Sequence, residues 1–179
     1  IKDCVVRLDT TISSILEYSR NGNMEIKQND VNIKDIWEQS LVPHASAGRA
    51  ADINFSYETN IKSTVKIDAF RLGVIFNNLL SNAIKYCDSN KKERYVKLIA
   101  RQSVNGLQLI LADNGLGIPE EHQSRVFNMF YRASSLSQGA GLGLYIVKQA
   151  VDKLGGVIFH DSVEGVGTTF TITLPMVIE

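Results

Sequence analysis

One helical segment constrains the fold of this chain more than any other feature. Residues 71–87 are apolar around most of the circumference of a helix, which must therefore be largely buried. The polar exceptions Asn78, Asn82 and Lys85 recur at positions i, i+4 and i+7 and lie along one line. An unsatisfied buried amide costs about 1–3 kcal/mol. The stripe must face either solvent or a pocket that holds phosphate and a cation, and spacing alone leaves both alternatives open.

The composition is that of one compact domain. With 179 residues, of which 44% are hydrophobic and 21% charged, the chain can form a sizeable core. Lys+Arg and Asp+Glu both number 19, so the basic excess of a nucleic-acid-binding protein is missing. Cys4 and Cys87 lack disulfide or metal spacing, which predicts free thiols in a cytoplasmic protein. The apolar runs are too short to span a bilayer. The start at Ile1 indicates a fragment, and a membrane-anchored parent is compatible with it.

Periodicity and cap residues predict the order of the elements. Asn32 and Asp68 are the expected N-caps of two helices, and Pro43 should bend or end the first of them. The dipeptide Asn105-Gly106 predicts a hairpin turn. Helices are predicted at 1–20, 32–50, 68–87, after Pro119 and at 142–154, and strands at 53–58, 64–67, 94–104, 107–112, 157–162 and 168–174. The fold class is α+β, a two-layer sandwich of a mixed sheet and helices preceded by a helical stub.

Two glycine-rich segments follow the buried helix. Residues 113–117 read Asp-Asn-Gly-Leu-Gly directly after an apolar strand, where glycines permit a tight turn and an aspartate can accept a hydrogen bond from a ligand amino group. Residues 139–144 read Gly-Ala-Gly-Leu-Gly-Leu and open a helix, whose free N–H groups can bind an anion. The second segment is not a dinucleotide-binding fingerprint, because it follows a polar stretch late in the chain. A plain turn and a plain helix cap remain the alternative interpretations.

A fourth motif lies between these two segments. Phe127 and Phe130, three residues apart, are expected to anchor the base of a loop in the core. Arg132 begins a polar, glycine-bearing stretch over residues 131–141 and is able to reach a terminal phosphate. The alternative is an ordinary solvated arginine.

The four motifs, taken in order, resemble those of sensor histidine kinases. The segments that resemble the family's N, G1, F and G2 boxes and its closing glycine–threonine motif are Asn78–Tyr86, Asp113–Gly117, Phe127–Arg132, Gly139–Leu144 and Gly165–Phe170. The resemblance implies the Bergerat ATP-binding fold, which the family shares with gyrase and related ATPases. It also implies two parts: residues 1–22 as the partial second helix of a dimerisation hairpin, and residues 23–179 as the catalytic domain.

The resemblance assigns the adenine end of a nucleotide site. Asp113 would accept the adenine amino hydrogen, and Tyr86 would lie near the base and ribose. One of Thr168 and Thr169 should face the pocket beside Asp113, because side chains alternate along a strand, and the sequence does not say which. The residues implied to pack around the ring are Gly115, Gly117 and Ile118.

The resemblance also assigns the phosphate end. Asn78, assisted by Asn82, would ligate Mg²⁺, for which amide oxygens are suitable hard ligands. Lys85 and Arg132 would neutralise phosphate charge, and they complete with Asn78 the implied catalytic set. The residues of the lid and of the helix start that would meet the phosphates are Gly139, Gly141, Leu142, Gly143 and Leu144. The implied cofactors are therefore ATP and Mg²⁺.

Asn78 also indicates the type of reaction. Hydrolysing relatives carry a water-activating glutamate at this helix position, and an amide cannot take a proton. The domain is therefore expected to hold ATP until another nucleophile arrives, and a neutral imidazole is suited to that role. None of His44, His122 and His160 fits the family's acceptor position on a dimerisation helix, so the acceptor histidine is expected outside the chain.

The implied partners are ATP, the parent's own dimerisation-domain histidine and a response-regulator receiver domain, with the parent a homodimer and no nucleic acid bound. Two other classes of function remain open. One is a gyrase-type ATPase, against which Asn78 argues. The other is a degenerate nucleotide-binding scaffold that signals by protein contact, against which the intact motifs argue.

Overall fold

The computed structural model describes residues 24–44, 50–104, 106–133 and 140–175, together with Ile12, Leu16 and Ser19. These last three residues are helical and exposed. The rest of the predicted stub over residues 1–20 lies outside the described residues, and the division of the chain at residue 22 stays a prediction.

The main sheet has five strands in a mixed arrangement. Its members are β2 (Ile53–Thr59), β4 (Arg94–Ser103), β5 (Gly106–Asp113), β6 (Val157–Val163) and β7 (Gly167–Leu174). Their spatial order is β2-β4-β5-β7-β6. The β2–β4 pair is parallel, and the other three pairs are antiparallel. A second sheet of two three-residue strands, β1 (Asn29–Val31) and β3 (Val65–Ile67), is also present, and the sequence did not predict β1.

Helices cover one face of the main sheet. They are α1 (Ile33–Leu41), followed by a 3₁₀ turn (Val42–His44), α2 (Ala69–Lys85), the short α3 (Glu120–Gln123) and α4 (Gly143–Lys153). Alternate residues of the central strands, such as Leu98 and Leu109, are buried against α2 and α4 in one core. In that core Phe76 of α2 meets Trp37 of α1 edge-on, with ring centroids 5.9 Å apart. The predicted two-layer α+β fold is confirmed. None of the described helices is both long and apolar enough to span a bilayer.

Several element boundaries differ from the sequence-based prediction. The helix that begins after Asn32 ends at Leu41 and not near Ala50, because Pro43 cannot continue it and a 3₁₀ turn follows. Gly106 pairs with Ser103 and is therefore the first residue of β5, with φ 115°, instead of a turn residue. Pro119 is the N-cap of α3 and precedes its first helical residue.

The start of α2 fastens the segment that precedes β1. Asp68 is the predicted N-cap, and its carboxylate accepts the Arg71 backbone N–H at 2.9 Å. The Arg71 guanidinium, which is fully buried, pairs with the same carboxylate at 2.6 Å. It also donates to the carbonyl oxygens of Met24, at 2.5 Å, and Glu25, at 3.4 Å. The backbone N–H of Lys27 completes the contact by donating to Asp68 at 3.0 Å.

This buried pair predicts a large and asymmetric stability effect. Arg71→Met should lower the free energy of unfolding by about 3–5 kcal/mol, because it leaves the Asp68 carboxylate buried without its cation. Adding Asp68→Asn should recover part of that loss. Urea denaturation followed by circular dichroism measures both changes. Lys34→Met is the control, since its ion pair with Glu38 is more than half exposed and contributes less than about 1 kcal/mol. Equal losses for Arg71→Met and the control would contradict the prediction.

Candidate functional site

A cavity opens where the end of α2, the loop after β5, strand β7 and the start of α4 meet. It holds about 720 Å³ of space not filled by atoms, including its open mouth. The candidate residues in its wall are Asn82, Tyr86, Asp113, Gly117, Ile118, Arg132 and Leu144. Asn82 of the helix stripe and Asp113 at the distant strand end therefore line one cleft.

Asp113 ends β5 and is largely buried in the wall of the cavity. Its Oδ1 accepts the backbone N–H of Gly115 at 2.8 Å. Burial raises the pKa of this carboxyl above its ordinary value, while the backbone N–H groups of Gly115 and Thr168 and the positive charge of Lys91 oppose that rise. A carboxylate with one oxygen engaged by the loop can offer its other oxygen to a ligand donor.

The strand register settles which threonine faces the cavity. Thr168 pairs with Asp113 and Thr169 with Ala112, so the two threonines point to opposite sides of the sheet. Thr168 is buried and lines the cavity. Its Oγ1 lies 2.8 Å from Ser162 Oγ of β6.

Ser162 and Gln123 fix the loop that follows Asp113. Ser162 Oγ accepts the Ile118 backbone N–H at 2.8 Å. The Gln123 side-chain amide donates to the carbonyl oxygens of Ile118, at 2.9 Å, and Ser162, at 2.8 Å. Sequence reasoning missed both residues. Ser162 could have been found because it is four residues after Ile158 on β6 and so shares the face of that strand that packs on the core, where a polar residue is unusual.

The two glycines of this loop are required by close backbone contacts. A Cβ on Gly115 would lie 2.5 Å from the carbonyl oxygen of Tyr86. Gly117 has φ +69°, and a Cβ there would lie 2.1 Å from the carbonyl oxygen of Val163. Only glycine lets the loop pack against both the end of α2 and β6. The Leu116 N–H, which donates to Tyr86 O at 2.9 Å, holds it in place.

The two asparagines of α2 face the start of α4. A Cβ on Gly143 would lie 3.2 Å from Asn78 Oδ1 and 3.8 Å from Asn82 Nδ2, so both amides approach the same backbone position. Asn78 Nδ2 donates to Val74 O at 2.9 Å, and Asn78 is not part of the cavity wall. Asn82 is part of the wall.

The other candidate residues of the segment 139–144 lie in different surroundings. Gly141 has φ +71°, and a Cβ there would lie 2.7 Å from Tyr131 O, so a side chain would displace the segment before α4. Leu142 is 1% exposed and belongs to the hydrophobic core, whereas Leu144 lines the cavity. Gly139 lies outside the described residues. The N-cap of α4 is Leu142, whose side chain makes no capping hydrogen bond.

Of the two candidate cationic side chains, one lines the cavity and the other lies outside its wall. Arg132 lines the cavity. Lys85 Nζ donates to the Tyr86 hydroxyl at 2.8 Å and lies 4.5 Å from the centroid of that ring, outside the cavity wall. Tyr86, which does line the cavity, therefore connects Lys85 to it.

None of the three histidines lies on a long helix. His44 ends the 3₁₀ turn, and burial lowers its pKa. His122 lies in α3, with Nδ1 2.8 Å from the Tyr131 hydroxyl. His160 lies in β6 with its ring edge-on to Phe127 at 5.5 Å, and burial lowers its pKa despite the neighbouring Asp161.

The oxygen donors of the site fit a divalent cation that takes most of its ligands from water and from a bound substrate. Within the described ranges, no three His, Cys, Asp or Glu side chains come together as a metal cluster. The hard oxygens at the phosphate end are the amide oxygens of Asn78 and Asn82, which meet at Gly143. Mg²⁺ suits such a site, because it keeps several waters and takes further oxygens from substrate phosphates.

The rest of the cavity wall was not predicted from the sequence. It consists of Ala83, Pro119, Val126, Tyr131, Ala133 and Phe170, whereas Thr168 is one of the two predicted alternatives. These side chains are mostly apolar, and an apolar residue in a core-forming element carries no separate signal of ligand contact. Phe170 could have been found from Thr168, since residues two apart on a strand share a face.

Comparisons with known proteins agree with this geometry. Residues 67–178 match the family described as histidine kinase-, DNA gyrase B-, and HSP90-like ATPase. The sensor-like histidine kinase SenX3 of Mycobacterium tuberculosis is 33% identical over 179 residues, covering 97% of this chain and 43% of SenX3. The chain spans less than half the length of this and the other curated relatives that it matches first.

Two solved structures share the fold. The mycobacterial sensor histidine kinase MprB is 31% identical with a TM-score of 0.70, covering 84% of this chain and 98% of that one. Full-length ShkA, solved in complex with AMPPNP, is 24% identical with a TM-score of 0.81, covering 96% of this chain and 36% of that one.

The raised pKa of Asp113 predicts that this carboxylate lowers stability. A carboxyl whose pKa is higher in the folded than in the unfolded protein binds its proton more tightly when folded. Its ionisation therefore reduces stability as pH rises from its ordinary pKa through the folded value, and the loss persists above that value. We expect Asp113→Asn to raise the melting temperature at neutral pH, with a gain that shrinks as pH falls. Asp30→Asn, at an exposed position of β1, is the control. A gain that grew towards acid pH would contradict the prediction.

Proposed function

The chain belongs to the histidine kinase-, DNA gyrase B- and HSP90-like ATPase family as the catalytic ATP-binding domain of a sensor histidine kinase, and we propose that it transfers the γ-phosphoryl group of ATP to a histidine outside the described residues. The observation that carries the proposal is the meeting of Asp113 and Asn82 in one cavity beside an uncapped helix start. One end of this cavity can recognise a base, and the other can hold phosphates.

At the adenine end, Asp113 accepts a hydrogen from the exocyclic amino group. Its Oδ1 is already engaged by Gly115, so the loop sets the orientation of the carboxylate before the nucleotide arrives. Ile118, Phe170 and Tyr86 supply apolar and aromatic surface for a flat ring. Such preorganisation favours binding, because little conformational freedom remains to be lost.

At the phosphate end, Asn78, assisted by Asn82, would ligate Mg²⁺. The cation neutralises charge on the phosphates when it is bound. Arg132 adds positive charge from the cavity wall, and the first N–H groups of α4 donate hydrogen bonds to phosphate oxygens. Lys85, held against Tyr86, contributes from the rim. Phosphoryl transfer is then accelerated mainly by positioning and charge neutralisation.

The chemistry of Asn78 determines which nucleophile can react. An amide cannot remove a proton from water, so this position supplies no general base for hydrolysis. A neutral imidazole needs no such base, because it carries a lone pair near neutral pH. All three histidines lie in elements of the catalytic domain: His44 in a 3₁₀ turn, His122 in a four-residue helix and His160 in a strand. The acceptor in this proposal is a histidine of the parent's dimerisation helices. The phosphohistidine then donates its phosphoryl group to a response-regulator receiver domain in the cytoplasm.

Loss of base recognition should weaken nucleotide binding without unfolding the domain. We expect Asp113→Asn to weaken ADP binding at least about tenfold, because a hydrogen bond to a charged acceptor contributes about 1.5–3 kcal/mol. Isothermal titration calorimetry with Mg²⁺ measures the change. Asp30→Asn should bind ADP as the wild type does, and equal affinity of Asp113→Asn would show that the adenine assignment is wrong.

The phosphoryl acceptor can be tested directly. With radiolabelled ATP we expect no acid-labile, alkali-stable phosphate on the chain alone, and such a phosphate on a longer piece of the parent that includes its dimerisation helices. ATP turnover by the chain alone should be slow. Steady turnover would favour an ATPase of the gyrase type, and nucleotide binding without any transfer to the longer piece would favour a signalling scaffold.

A further inference from the structure

A lysine outside the cavity wall contacts both segments that form the adenine end. Lys91 lies in the connection between α2 and β4 and is half-buried. Its Nζ donates to the carbonyl oxygens of Asn114, at 2.7 Å, Gly115, at 3.2 Å, and Val166, at 2.9 Å. An ammonium has three hydrogens and no acceptor, so these three carbonyls use its full donor capacity.

The three carbonyls belong to two separate parts of the chain. Asn114 and Gly115 directly follow Asp113, whereas Val166 lies in the turn between β6 and β7, two residues before Thr168. The two parts also touch at Gly167, where a Cβ would lie 2.1 Å from Asp113 O. Lys91 lies outside the cavity wall and therefore joins the two segments that present Asp113 and Thr168 to the cavity without lining it.

The position of Lys91 is itself fixed by its neighbours. Its backbone N–H donates to Asp88 O at 3.3 Å, and its carbonyl oxygen accepts from Arg94 Nε at 3.1 Å. A second Arg94 nitrogen donates to Ser89 O at 3.1 Å. The turn thus holds the ammonium towards the loop, so the contact is part of the folded structure and not a passing surface interaction.

The charge of Lys91 acts on Asp113 as well. Burial raises the pKa of Asp113, and the charge of Lys91 lowers it, together with the backbone N–H groups of Gly115 and Thr168. Among the described residues, Lys91 is the charged group that acts on this carboxyl. Because Oδ1 accepts the Gly115 N–H, an ionised Asp113 offers its other oxygen to an amino hydrogen.

We propose that Lys91 is a positioning residue for nucleobase recognition, which holds the loop after Asp113 against the β6–β7 turn so that Asp113 and Thr168 meet the base in a fixed geometry. The proposal rests on the proposed function, because it needs an adenine nucleotide in the cavity. Lys91 does not touch the reacting atoms and acts only through the adenine end.

The test uses three variants of the whole chain. Lys91→Met keeps the length of the side chain but removes all three donors and the charge. Lys91→Arg keeps the charge but changes the donor geometry. Lys92→Met, at the adjacent exposed lysine, is the matched control. Calorimetry measures the affinity for ADP, and for inorganic tripolyphosphate as a probe of the phosphate end alone, across the acid and neutral pH range.

We expect Lys91→Met to weaken ADP binding about tenfold while tripolyphosphate binding is unchanged, since the phosphate end lies on α2 and α4. The pH at which ADP affinity falls should also move upward, because loss of the lysine charge raises the pKa of Asp113 further. Lys91→Arg should retain the wild-type pH profile with a smaller loss of affinity, and Lys92→Met should match the wild type.

The outcomes separate this proposal from the proposed function. If the wild type binds ADP and Asp113→Asn does not, but Lys91→Met keeps the wild-type affinity and pH profile, Lys91 has no positioning role. Equal weakening of ADP and tripolyphosphate would also overturn it, because that result indicates a general loss of structure. If Lys91→Met does not fold, Lys91→Arg decides. An ADP affinity equal to that of the wild type, or a pH profile displaced from that of the wild type, in this variant refutes the proposal. Failure of the wild type to bind ADP would instead refute the proposed function.

Discussion

The burial of α2 determines the rest of this structure. Its apolar residues occupy the core between the sheet and the other helices, so its rotation about its own axis is fixed. That rotation directs Asn78 and Asn82 to the start of α4, where the backbone is closest to them at a glycine. Polar side chains on a buried helix are stable only where they find partners. Asn78 donates to the Val74 carbonyl oxygen of its own helix, and Asn82 lines the cavity.

Local features of the fold could be predicted from the sequence, and long-range ones could not. Asn32 and Asp68 act as N-caps through bonds to N–H groups two and three residues away, which spacing reveals. The strands of the main sheet follow from alternation. The pairing of β1 with β3 joins three-residue strands that are distant in sequence and carry almost no local signal. The prediction that the first helix runs towards Ala50 was wrong, because Pro43 ends this helix at Leu41 instead of only bending it.

The same distinction applies to the site. Asp113, Gly117 and Asn82 were identified because a motif places them, and the register of β7 was needed to choose Thr168 over Thr169. Lys91 belongs to no motif. Its three acceptors lie 23, 24 and 75 residues away, so only the folded structure brings them together. Residues that orient a binding group through other residues are therefore the ones that sequence patterns reveal least.

The two ends of the cavity follow opposite physical rules. At the end of the cavity formed by Asp113, partial burial raises the pKa of the carboxyl, and backbone N–H groups and one lysine charge oppose that rise. At the end formed by the start of α4 the protein supplies neutral amides, together with the positive charge of Arg132 in the cavity wall. In the proposed function, Mg²⁺ and Arg132 would balance the negative charge of the phosphates. In the proposed function, a carboxylate in place of Asn78 would add a base and a second negative charge, and both changes would favour hydrolysis of ATP over transfer to a histidine.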